Sequence, residues 1–166
     1  MRRNITSFLF ILLLLAAPLY AQRSGDQGVG LMIGNPSGLS YKMWLNEDVG
    51  LDAAVGVAQG EFDVHATLLW HNFTWSKNSD QQILKDINSN GDFPFYFGFG
   101  PRALFDHKTE FGIRFPVGLA FLPHNSVWEF FGEVAPVVRL TPDTGVDGDF
   151  AVGLRYYFPA VRARSE

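Results

Sequence analysis

Asp149-Phe-Ala-Val-Gly-Leu-Arg-Tyr-Tyr-Phe158 is the stretch whose reading decides the fold. Side chains of an extended strand alternate between two faces. Phe150, Val152, Leu154, Tyr156 and Phe158 therefore share one face, and Asp149, Ala151, Gly153, Arg155 and Tyr157 share the other. The first face is wholly apolar or aromatic. The second is mostly small or charged.

The same division recurs upstream. Turn residues separate alternating segments near 27–34, 38–46, 49–58, 61–72, 94–105, 109–121 and 127–140, and the quoted stretch belongs to an eighth near 148–158. Their apolar sets include Val29, Leu31 and Ile33; Leu39, Tyr41 and Met43; Val55 and Val57; Phe62, Val64 and Trp70; Phe95, Phe97 and Phe99; Phe111, Ile113 and Phe121; and Trp128, Phe130 and Val134. No charge interrupts any of them. The opposite faces carry the strand-borne charges, together with many glycines.

Volume decides which face is inside. An eight-stranded barrel has an interior just wide enough for side chains to fill, so it could not hold all of these Phe, Trp, Leu and Val residues. Turned outward, so large an apolar surface needs hydrocarbon against it rather than water. A membrane in turn requires every backbone polar group to be paired, which barrel closure achieves. The expected fold is all-β, an eight-stranded antiparallel up-and-down transmembrane β-barrel. The abundance of glycine (17) and phenylalanine (16) fits a crowded interior and an aromatic exterior.

The N-terminus reads differently from the rest. Arg2 and Arg3, the apolar run Phe8 to Ala17 and the small Ala21 form the pattern of a secretory signal peptide over 1–21, leaving a barrel over 22–158 and a tail over 159–166. Removing Arg2 and Arg3 from 13 basic residues leaves 11 against 17 acidic ones, a formal charge of −6. That balance argues against nucleic acid as a partner. The absence of cysteine excludes disulfides and thiol chemistry.

With both termini in the periplasm, Trp70, Phe95, Phe121, Trp128, Tyr156 and Phe158 collect at the periplasmic rim, and Phe62, Phe105, Phe111 and Phe150 at the outer rim. Two aromatic girdles are what membrane barrels carry. The longest connection, 73–93, then falls on the periplasmic side, where turns are usually short. On the outer side only Thr141 to Asp147 has any length.

Three segments carry a family resemblance: Gly34-Asn-Pro-Ser-Gly-Leu-Ser-Tyr-Lys-Met-Trp-Leu-Asn46, Leu69-Trp-His-Asn-Phe73 and Gly153-Leu-Arg-Tyr-Tyr-Phe158. On these the chain resembles the small OmpA-like outer-membrane barrels, and more narrowly a bacterial family of such barrels with no assigned function. The resemblance spans nearly all of the chain after the signal. It implies the outer membrane of a Gram-negative cell, surrounding outer-membrane lipid, and recognition of the closing strand by the barrel-assembly machinery, with Phe158 as the aromatic signal. Pro159 to Glu166 follow that residue here.

The candidate site is a lumen charge network. Lys42, Arg102, Arg114, Arg139 and Arg155 face Asp52, Asp63, Glu110, Glu129 and Glu133 inside a narrow tube, where an unpaired charge is costly. Near balance of signs points to mutual pairing that fills the barrel; the alternative is a small gated ion path. His65 and His71 also point inward, but six residues of strand set them roughly 20 Å apart, too far to share a metal.

Asp86-Ile-Asn-Ser-Asn-Gly-Asp92 has the opening pattern of a calcium loop, yet Phe97 stands where the bidentate glutamate should be. Neither metal nor cofactor is expected. An outer-membrane lipid-modifying enzyme would need a histidine beside a serine at the outer leaflet. His124-Asn-Ser126 is the close pairing in the sequence, and it falls in a periplasmic turn. The expected role is therefore non-enzymatic, structural or surface-interacting, with any surface ligand unspecified.

Overall fold

The computed structural model describes residues 24–105 and 109–158. The expected signal peptide, the 159–166 tail and the Asp106-His107-Lys108 turn lie outside the described residues. In chain order the elements are β1 (Gln27–Asn35), β2 (Ser37–Trp44), β3 (Val49–Ala58), β4 (Glu61–Asn72), α1 (Gln82–Asn90), β5 (Gly91–Asp92), β6 (Phe95–Phe105), β7 (Glu110–Arg114), β8 (Val117–Pro123), β9 (Trp128–Thr141) and β10 (Gly145–Phe158).

Every pairing is antiparallel and joins neighbours, and β10 returns to β1 over Gln27↔Phe158 to Asn35↔Phe150, so the sheet closes. Both β7 and β8 lie between β6 and β9 and form one stave, and β5 extends the line of β6 along β8. The result is an eight-stranded closed antiparallel barrel. Closure leaves no unpaired edge, which is how strands satisfy their backbone in hydrocarbon.

Three local features differ from the sequence reading. The sixth stave, expected as one strand over 109–121, breaks at Pro116, because proline has no N–H for the ladder. The ladder survives the break: the Phe115 amide donates to the Pro136 carbonyl at 2.9 Å and Pro116 accepts from Gly98 at 2.9 Å. The outer loop expected over 141–147 shrinks, since β9 runs to Thr141 and β10 already begins at Gly145. Within 73–93, expected only as a long connection, lie α1 and β5.

The alternation holds around the ring. Ile33 is 73% exposed and Phe150 61%, and Val29, Leu31, Leu39, Phe62, Phe97, Phe99, Phe130 and Val152 are exposed beside them. The inward set is buried: Met32, Trp44, Leu69, Tyr96, Phe131 and Tyr157 supply its apolar part. Backbones approach closely where glycine faces inward. A Cβ on Gly30 would lie 1.9 Å from the Leu154 carbonyl, and one on Gly100 1.9 Å from that of Ala66.

The chain enters at Gln27 and leaves at Phe158 on the same end, called here the terminal end. Its outward aromatics include Trp128 and Tyr156, 5.1 Å apart, and Tyr156 and Phe158, 4.9 Å apart. Phe62 and Phe105 pack 5.9 Å apart toward the far end. The tight hairpin at Gln59-Gly60 also lies there, with both residues at positive φ (54° and 91°), the geometry that matches the twist of paired strands. No described helix is long and apolar enough to cross a membrane; the outward strand faces form the apolar band.

Candidate functional site: the charged lumen

Alternation delivers the charged side chains to the bore, and the register sets them in tiers. In the tier nearer the terminal end, Lys42 of β2 and Glu129 of β9 are fully buried. Lys42 Nζ donates to Glu129 Oε2 at 3.0 Å and to His71 Nε2 at 2.9 Å. With Nε2 accepting, the ring's remaining proton sits on Nδ1, which donates to the Asp48 carbonyl at 3.2 Å. The same ammonium lies 4.3 Å from the centroid of Trp44, a favourable cation–π contact.

Arg155 organises the rest of this tier. Its Nε donates to Ser40 Oγ at 2.8 Å, Nη1 donates to Glu129 Oε1 at 2.6 Å, and Nη2 donates to Asp52. Tyr157 Oη donates to Glu129 Oε2 at 2.8 Å. The guanidinium stands 3.8 Å over the Phe131 ring. Arginine suits such a place because its planar fork serves several acceptors while its face stacks.

The next tier holds Asp63, Arg102, Arg114, Glu133 and Asp149. Arg102 Nε donates to Asp63 Oδ2 at 2.5 Å, and its Nη2 is 3.5 Å from Asp149 Oδ1. Arg114 donates to Glu133 Oε1 at 2.7 Å and to Asp149 Oδ2 at 3.2 Å. Tyr96 Oη donates to the other oxygen of Glu133 at 2.9 Å. His65 Nδ1 is 2.8 Å from Asp63 Oδ1. Nearer the far rim, half-buried Arg139 lies 3.5 Å from Glu110 and 3.4 Å from Asp147.

All ten residues expected in the lumen thus make charged contacts in it, but as separate tiers rather than one network. Lys42, Asp52, Glu129 and Arg155 meet; Asp63, Arg102, Arg114 and Glu133 meet; Glu110 and Arg139 form the outermost pair. Asp149 was not among the ten and proves central to the second tier. The signal for it in the sequence is its position on the same strand face as Arg155. Ser40, Tyr96 and Tyr157 were likewise readable only as inward-facing polar groups.

The other sequence candidates fall elsewhere. Asp86, Asn88 and Asn90 lie within α1, so the calcium-loop pattern is helical: Asp86 Oδ1 accepts from Gln82 at 2.8 Å and Asn88 Oδ1 from Ser76 at 3.1 Å. Among the described residues no group of three or more His, Asp or Glu side chains is placed to hold a metal. His65 and His71 belong to different tiers. Ser126 Oγ, at the terminal end, accepts from the Trp128 amide at 3.1 Å. His124 and Asn125 beside it line a cavity of about 360 Å³ at that end, with Trp44 and Phe73 among its walls.

No protein-family model matches the chain, and no curated protein sequence does. Among solved structures, it is similar to the N-terminal β-barrel domain of Pseudomonas aeruginosa OprF, with a TM-score of 0.58 and 10% identity over 82% of this chain and 100% of that one. It also matches Ail, the attachment invasion locus protein of Yersinia pestis, at 17% identity over 80% of this chain and 94% of that one, with a TM-score of 0.36. At 10% identity the likeness speaks to fold: the chain shares the closed barrel architecture of the OprF domain.

Proposed function

We propose that the protein is an integral barrel of the Gram-negative outer membrane whose lumen is closed by its own ion pairs, with a non-enzymatic structural or surface-interacting role. One observation carries the reading: an exterior of exposed Leu, Val, Ile and Phe surrounds an interior of buried, paired charges. That is the inverse of a water-soluble barrel, and only hydrocarbon outside makes it stable. In this reading outer-membrane lipid is the obligatory partner, and the barrel-assembly machinery engages β10.

Closure of the lumen is supported by side chains that cross it. In the ring order β9, β10, β1, β2, β3, the Lys42–Glu129 pair joins β2 to β9 and the Arg155–Asp52 pair joins β10 to β3, each three staves apart. Arg102 and Asp149 span three staves on the other side. Such braces obstruct the axis. A gated path would require them to part.

The test is behaviour in detergent and in membranes. The chain without residues 1–21, refolded in detergent, should show β-rich circular dichroism and heat-modifiable migration on a gel, and the expressed protein should fractionate with outer membranes. Recovery as a water-soluble monomer without detergent would overturn the proposal.

A further inference from the structure

The geometry points to α1 as an interfacial helix, its apolar side seated in the phospholipid headgroup and acyl boundary at the terminal end of the barrel. This rests on the membrane reading above and concerns a segment outside the barrel wall.

The described structure covers the helix only in part, leaving Leu84 and Ile87 half-buried. None of its nine residues is buried, and Ile83 is 72% exposed. At 3.6 residues per turn, Ile83, Leu84 and Ile87 lie on one side and Gln82, Lys85 and Ser89 on the other. Asn88 meets Ser76, so the Leu84–Asn88 row turns toward the connection and leaves Ile83 outside that contact. The first turn has neither a side-chain cap nor an acidic residue. A helix this short is marginal alone in water, so its order depends on burial of an apolar side.

Lipid is the occupant because the helix is tied to the surface that already faces lipid. Trp75 Nε1 donates to the Phe93 carbonyl at 2.8 Å, and the Trp75 ring lies 5.8 Å from Phe93 and 6.4 Å from Phe95. At the other end of the helix, Gly91 pairs with Pro123, and its would-be Cβ lies 2.7 Å from the Phe121 ring. Phe95 and Phe121 belong to the terminal-end girdle. The connection is clamped by Lys77 and Asp92, 2.7 Å apart. An amphipathic helix continuous with an aromatic girdle is placed to lie in the interface plane.

Because the chain contains no cysteine, single labels are unambiguous. Ile83→Cys, Lys85→Cys and, in the barrel wall, Leu31→Cys would each be coupled to an environment-sensitive fluorophore. The chain is then folded into phosphatidylcholine vesicles with and without lipids nitroxide-labelled near the headgroup or deep in the acyl chain. The expected result is a blue-shifted Ile83 label quenched by the shallow nitroxide, a Lys85 label unquenched, and a Leu31 label quenched by the deep one. A Leu31 label quenched while Ile83 behaves like Lys85, both wet or both quenched, overturns the inference alone. An unquenched Leu31 label overturns the membrane reading and the inference with it.

Discussion

Lys42 Nζ lies 3.0 Å from Glu129 Oε2 with both side chains wholly removed from solvent, although 87 residues separate them in the chain. Glu129 also accepts from Arg155 and Tyr157, so it balances two buried cations at once. Glu129→Gln should therefore destabilise the barrel by about 3–5 kcal/mol, the cost of leaving buried charge uncompensated. Urea unfolding in detergent, followed by the heat-modifiable gel shift, measures it. A loss no larger than that of an exposed-site control would refute the role given to Glu129.

The braces across the bore make a second expectation concrete. The wild-type protein should give no steady conductance in planar bilayers, since eight-stranded barrels are filled by their side chains. Replacing Arg155 and Lys42 together with alanine should open one, provided that the variant still shows the gel shift. A conducting wild type would favour the gated-channel alternative.

Glycines on the two faces should respond oppositely. Gly30→Ala brings a Cβ to within 1.9 Å of the Leu154 carbonyl and so strains the β1–β10 seam that closes the barrel. Its expected outcome is loss of the heat-modifiable form. Gly132→Ala meets only Val152 at 3.7 Å on the exterior and should fold normally.

On the outward face, Val152→Arg should cost about 2–4 kcal/mol, the penalty of a cation on the lipid side of a membrane barrel. Val152 is 61% exposed and pairs with Ile33 and Gly132. Stability unchanged in lipid vesicles would argue that water rather than hydrocarbon meets this face.

Topology is tested by epitopes. A tag between Asn78 and Gln81, in the connection before α1, should stay unlabelled on intact cells. One in the Pro142–Thr144 turn should be labelled. The reverse pattern would invert the barrel.

Strand periodicity made much of this legible in advance, because alternation is a local property of the chain. The faces of β10, the apolar exterior and the inward direction of Lys42, Asp52, Glu129 and Arg155 all followed from counting by two. The break at Pro116 was less visible, since only the neighbours Gly98 and Pro136 show how the ladder continues past it. Helix α1 was hidden by the Asx-rich letters from Asp86 to Asp92, which serve loops and helix ends alike.

The sequence by itself determined the eight alternating segments, the face each turns outward and the residue types each sends inward. Tertiary structure alone decided who meets whom. Arg155 needed an acidic partner, but whether that was Asp52, Asp63 or Glu133 depended on the stagger of strands around a closed ring. Asp149 shares the inward face of Arg155 by alternation, but only the closed ring brings it to Arg102 of β6 and Arg114 of β7. Contacts across a bore join residues far apart in sequence, and no local pattern encodes them.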